Sequence, residues 1–233
     1  MLCMPTHRDL SVYTANSLFE SHHILAQRGI ELDVTLLYGS SIVEVARNKC
    51  VHLFLQSERN RLIFIDSDIT WNPADLVKLL ALSTKLEVVG ASYPRKADPL
   101  VFAVQGFDVN DGVTLGEYGC IDCGRGGFGL GFTVIQRKVI EELAAEAPTT
   151  ILPDMKDTPI PEIFRDGSVP TARSTLAGAD GEFTGEDMNF FYDVYDLGYK
   201  VWMDPHIRLG HVGPKVFEAS FLDMLKPVTF KET

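Results

Sequence analysis

Long apolar stretches are missing from this sequence. No run approaches the roughly 20 residues that a helix needs to cross a bilayer. The opening MLCMPTHRDL has no charged segment leading into an apolar one. Neither a membrane span nor a signal peptide is therefore expected. Basic residues are also scarce, with 21 Lys and Arg against 32 Asp and Glu and a net charge of −11. That balance argues against a nucleic-acid partner gripped by its phosphates, which needs clustered cations. It leaves room for a small phosphate-bearing ligand whose charge a divalent cation neutralises. The four cysteines are Cys3, Cys50, Cys120 and Cys123, and only the last two have C-x-x-C spacing. No second pair completes a zinc site. Free thiols in a reducing, cytoplasmic setting are the expectation.

What is present reads as a globular chain. Its 233 residues are 45% hydrophobic and 23% charged, enough for one large α/β domain. Helical spacing over residues 9–28 stops at Gly29, and a strand follows at 32–37. A helix is predicted over 41–56, with Ile42, Val45, Ala46, Val51, Leu53 and Phe54 facing inward. RLIFID (61–66) is an apolar strand, Asn72 and Pro73 fit the N-cap and first position of the next helix, and LEVVGAS (86–92) is another strand. This alternation predicts a mostly parallel central sheet with helices on both faces. Later in the chain, Asn110-Asp111-Gly112 suggests a hairpin turn. Residues 147–184, with five prolines and no clear period, suggest a flexible loop on the acceptor side.

Four constellations carry chemistry. In FIDSDITW, Asp66 and Asp68 sit at the carboxyl end of a buried strand, where ligands of open α/β sheets bind. Two carboxylates there can hold Mn²⁺ or Mg²⁺ and leave coordination sites for a diphosphate. Their alternative role is turn formation before the Asn72 cap. GRGGFGLGF (124–132) lets backbone approach a ligand closely, but lacks the lysine of a P-loop. In TGEDMNFF a helix is predicted with Thr184 as N-cap, and Glu186 and Asp187 lie in its first turn. Acids there stabilise the helix end whatever else they do. As chemistry, Asp187 is a candidate general base with Glu186 beside it, positioning the acceptor. In DPHIRLGHVG, His211 has glycines nearby and is a candidate third metal ligand.

In this order the four constellations resemble those of the GT-A glycosyltransferases, most of all the small family 2-type enzymes of bacteria, phages and large algal viruses. The opening MPTHR, Ala46-Arg47-Asn48, FIDSD and the block from Gly185 to Gly213 carry the resemblance across residues 1–215. It implies a GT-A (Rossmann-like) fold in one domain, 1–233. That domain would have a nucleotide-binding half (1–95), an acceptor and catalytic half (96–215) and a C-terminal tail (216–233). It implies transfer of a hexosyl or deoxyhexosyl group from a UDP- or GDP-linked donor, UDP favoured, to a glycan or other hydroxyl acceptor, with inversion. Asp68 would bind Mn²⁺ or Mg²⁺ and His211 complete the site, while Asp66 reaches the metal or the ribose. Thr6 and Arg8 would lie beside the base, Arg47 would hold the nucleotide, and Gly126, Gly127 and Gly129 would border the sugar. Asp187 would deprotonate the acceptor. A nucleotidyltransferase, or a non-catalytic nucleotide- or carbohydrate-binding module, are the alternatives. The first would carry a basic phosphate loop after the first strand, and MPTHRDLSVY does not resemble one.

Overall fold

The computed structural model describes residues 1–7, 9–106, 113–152, 154–155, 158–170, 177, 179–225 and 228–230. Seven strands build the main sheet: β1 (Leu2–Thr6), β2 (Val34–Tyr38), β3 (Arg61–Ile65), β4 (Val88–Gly90), β5 (Ile121–Asp122), β6 (Phe132–Gln136) and β7 (Val201–Met203). Their order is β2-β1-β3-β6-β4-β7-β5. β1 runs parallel to β2 and β3, and β7 parallel to β4. β6 is antiparallel to both β3 and β4, and β5 is antiparallel to β7. The architecture is α/β, but the sheet is mixed where the sequence suggested a mostly parallel one. β6 accounts for much of the difference: it inserts between β3 and β4 antiparallel to both, a pairing of distant segments that local strand and helix signals do not determine.

Alternate residues of each strand face opposite sides, and both sides are covered. Leu62 and Phe64 of β3 join one apolar cluster, while Ile63 and Ile65 join the other. This double burial explains why β3 reads as an unbroken apolar run. Helices α1 (Val12–Gln27) and α3 (Pro73–Leu82) contribute Leu18, Leu25, Leu76 and Leu79 to the second cluster. Helices α2 (Val43–Gln56), α4 (Arg137–Glu146) and α5 (Glu186–Asp196) cover the first, through residues such as Phe54, Leu143 and Phe190. The capping expected of Asn72 is present: its side chain accepts from Ala74 N at 2.9 Å, with Pro73 in the first turn.

The inward face of α2 differs from the apolar pattern. Ile42 and Leu53 are exposed, while Arg47 and Asn48 are buried. Asn48 can be buried because both ends of its amide are paired: Nδ2 donates to Phe164 O and Oδ1 accepts from Phe164 N, each at 2.8 Å. Phe164 itself stacks on Phe190. The region expected to be a flexible loop is thus partly core. Ile160, Ile163 and Phe164 are buried, Thr149–Ile151 pairs with Pro159–Pro161, and Gly167–Val169 pairs with Glu182–Thr184.

Two further segments are placed by strand pairing. The turn at Asn110-Asp111-Gly112 lies outside the described residues, and the nearest described strands on either side pair elsewhere. Val104–Gln105 pairs with Gly127–Phe128, and Val113–Leu115 runs parallel to Val228–Phe230. The expected tail is also built in. Val216–Ser220 pairs with Arg208–Val212, which in turn pairs with Ile69–Thr70, and Phe221 is fully buried.

Candidate functional site

The parallel strands β1, β2 and β3 end on the same side of the sheet. Residues at or just beyond those ends border a cavity of about 380 Å³ whose lining includes Thr6, Ser40, Arg47, Asp66, Asp68, Tyr93, Glu186, Asp187 and His211. The two acids of FIDSD do not continue the strand. Ile69 N donates to Asp66 O at 3.1 Å and closes a turn. Ser11 N holds Ser67 O at 3.1 Å, and Val212 N holds Asp68 O at 2.8 Å. Both carboxylates therefore project from a backbone pinned by α1 and by the strand that carries His211.

Arg47 is the electrostatic centre. Its side chain is 2% exposed, and its guanidinium contacts Asp66 at 3.2 Å, Glu186 at 3.0 Å and Asp187 more closely. The rings of Phe64 and Phe164 flank it. The nucleotide-holding role expected for Arg47 does not fit this placement, because the donors facing the cavity already serve carboxylates. Those three acids come from β3's end and from the start of α5, so Arg47 ties the two halves of the site together.

Helix α5 starts one residue later than the sequence suggested. Gly185 is its N-cap and Thr184 ends a strand, its hydroxyl donating to Asn189 Oδ1 at 2.5 Å. Glu186 and Asp187 are thus the first two helical residues, at the positive end of the helix dipole. Asp187 also accepts from Leu130 N at 3.2 Å. Burial pushes Glu186 up to about 7, with the neighbouring charge of Asp187 adding to it against the pull of Arg47. Burial likewise raises Asp66 despite Arg47. For Asp68 the balance reverses: burial acts upward, but hydrogen bonds from His211 and Lys96 win and hold it below the usual carboxylate range.

His211 and Asp68 lie side by side. His211 Nδ1 lies 2.9 Å from Pro94 O, and Nε2 lies 3.5 Å from Asp68 Oδ2. A carbonyl only accepts, so Nδ1 carries a proton. A ring protonated on both nitrogens donates from Nε2 to Asp68, and a ring protonated at Nδ1 alone turns its Nε2 lone pair toward that carboxylate. In the singly protonated state the two acceptors call for a cation between or beside them. Among the described residues no group of three or more His, Cys, Asp or Glu side chains is arranged to hold a metal. Asp68 and His211 offer two ligands; Asp66 is engaged by Arg47 and by Tyr93, whose hydroxyl donates at 3.0 Å. A hard cation held by one or two protein groups, with phosphate oxygens and water filling the rest, suits that donor set.

The glycines divide. A side chain on Gly129 would strike the Tyr93 hydroxyl, and one on Gly131 would strike Asp66. These two keep the backbone close to the site. Gly126 and Gly127 do not border it: their missing side chains make room for the Gln105 backbone and the Phe191 ring. Thr6 lines the cavity, its hydroxyl donating to Met4 O at 3.1 Å, and Arg8 lies outside the described residues. Sequence reading missed Tyr93, Lys96 and Gly131. The segment SYPRK directly follows a strand's carboxyl end, which was the available signal. The four cysteines are free and buried. Among the described residues no helix is long and apolar enough to cross a membrane.

No protein-family model matches this chain, and no curated protein does. Among solved structures it is similar to A197 from STIV, with a TM-score of 0.53 and 20% identity over 95% of this chain and 91% of that one. At that identity the likeness concerns the fold.

Proposed function

We propose that this chain is a metal-dependent glycosyltransferase of the GT-A type. It would transfer a sugar from a nucleotide diphosphate donor, UDP-linked by preference, to an acceptor hydroxyl with inversion. One observation carries the reading: Asp66, Asp68, His211, Glu186 and Asp187, from three distant parts of the chain, line a single cavity at the carboxyl ends of parallel strands. The mixed order β2-β1-β3-β6-β4-β7-β5, with β6 reversed, is compatible with it.

Asp68 and His211 would hold Mn²⁺ or Mg²⁺. When bound, the cation would offset the charge building on the departing diphosphate. Gly129 and Gly131 let Tyr93 and Asp66 pack against the backbone, and the sugar would lie beside those two side chains. Asp187 would accept the acceptor's proton as the new glycosidic bond forms opposite the breaking bond to diphosphate. Glu186, with its proton held up to about neutral pH, can donate a hydrogen bond to an acceptor oxygen.

The buried pairing of Asp187 with Arg47 favours one rival, a nucleotide- or carbohydrate-binding module in which these acids serve structure alone. Thermal-shift titration with nucleotide sugars, with and without Mn²⁺, bears on the donor, because a bound ligand raises stability by mass action. Stabilisation by a UDP- or GDP-sugar that requires Mn²⁺, followed by release of nucleoside diphosphate on incubation, is expected. Stabilisation without product would favour the module, and release of pyrophosphate from a nucleoside triphosphate would favour a nucleotidyltransferase. No response to any nucleotide sugar would remove the proposal.

A further inference from the structure

We propose that Lys96 is a built-in cation that occupies Asp68 until a divalent metal arrives, and then moves to the donor's diphosphate. The inference rests on the reading of Asp68 and His211 as metal ligands. Lys96 Nζ lies 2.5 Å from Asp68 Oδ2, the same oxygen that His211 Nε2 faces at 3.5 Å. An ammonium therefore stands at the carboxylate oxygen where a metal would bind.

The two acids of the pair are neutralised by different kinds of cation. Asp66 is served by Arg47, which is 2% exposed and committed to two further carboxylates. Removing that guanidinium would leave buried charges without a partner. Lys96 and Asp68 are each 36% exposed, so they can separate into water at small cost. The lysine stem has a resting place on the rim: it lies over Gly213, where an added Cβ would come within 3.1 Å of Lys96 Cδ. The same loop accepts the His211 Nδ1 proton at Pro94 O. One loop therefore orients the imidazole and supplies the competing ammonium.

Among the described residues lining the cavity, none is a free cation for a diphosphate: Arg47 is the one permanent cation there, and it is already engaged. When a dication takes Asp68, the displaced ammonium remains within its own stem's reach of the rim, and phosphate oxygens are the strongest acceptors a donor would bring there. The exchange is ionic and forms no covalent bond.

The test compares wild type with Lys96→Met and Lys96→Arg, each checked for an unchanged melting temperature. Calorimetry first titrates Mn²⁺ alone, then UDP at saturating Mn²⁺. The Met variant should bind Mn²⁺ about fivefold more tightly, because an exposed ion pair no longer competes. It should bind UDP about tenfold more weakly, because one charge-assisted contact is gone. The Arg variant should recover most of the UDP affinity. The opposite signs in the Met variant are the signature. Unchanged Mn²⁺ affinity in the Met variant, or both affinities falling together, overturns the exchange and leaves the metal reading standing. A wild type that binds no Mn²⁺ overturns both.

Discussion

Arg47 and Asp187 lie 140 positions apart in the chain and meet as a buried ion pair inside the cavity. The same guanidinium reaches Asp66 and Glu186. One cation thus holds acids that would otherwise repel one another in a poorly hydrated space. Arg47→Met keeps the stem but leaves these carboxylates without their cation. Its expected cost is about 3–5 kcal/mol, as for other buried pairs that lose one partner. Urea unfolding measures it, and a loss below 1 kcal/mol would show that the acids do not depend on Arg47.

Glu186 gives the fold a pH dependence. Its folded value is pushed up to about 7 from an ordinary 4.5. Between those values the folded state binds more protons than the unfolded one. Its contribution to stability is therefore full below about 4.5 and is lost as pH rises through 7. Comparing urea midpoints at pH 5 and pH 8 should show wild type losing more stability than Glu186→Gln over that interval. Parallel profiles for the two proteins would contradict the assignment.

The two kinds of glycine in GRGGFGLGF separate by substitution. Gly131→Ala would push on Asp66 and should weaken Mn²⁺-dependent nucleotide binding severalfold while the protein stays folded. Gly127→Ala would push on the Phe191 ring in the core. It should cost about 1–3 kcal/mol by overpacking, with the affinity of the folded protein kept. Calorimetry and unfolding on both variants read the difference, and equal binding losses would erase the distinction.

Asn48 should anchor the segment around Phe164. Asn48→Ala leaves the Phe164 N–H and C=O without their side-chain partner. The expected cost is about 2–6 kcal/mol, at about 1–3 for each buried group left unpaired. Hydrogen exchange at the Phe164 amide should quicken well beyond exchange in β3. Unaltered protection there would mean that stacking on Phe190 holds the segment without the amide.

Where a side chain's period or cap determined the outcome, the sequence was readable. β3, the Asn72 cap and the start of the FIDSD turn follow from local pattern. An Asp-x-Asp and a glycine-flanked histidine, together with the resemblance, point to Asp68 and His211 as partners. Long-range polar contacts were hidden. Arg47 reads locally as an ordinary helical arginine, and only the folded chain brings Glu186 and Asp187 to it. Asn48 likewise has no periodic signal, since its buried position depends on the backbone of Phe164, 116 residues away. Proline-rich composition over 147–184 suggested a free loop, yet Ile160, Ile163 and Phe164 were apolar anchors within it. The reversed placement of β6 was hidden because its neighbours on both sides come from earlier in the chain.

The central claim is that Asp187 acts as the base of a sugar transfer, and Asp187→Asn tests it most directly. The amide keeps the size of the side chain and can still accept from Leu130 N, the contact that wild type makes at 3.2 Å. The measurement is nucleoside diphosphate release from the donor that stabilises the protein, with a working acceptor, beside melting temperature and donor affinity. General-base assistance is worth about a hundred- to ten-thousandfold. The account predicts a folded variant that binds donor and Mn²⁺ within about threefold of wild type, yet turns over at least about a hundredfold more slowly. Near-normal turnover in a folded Asp187→Asn protein would contradict it and leave Asp187 a partner of Arg47 alone.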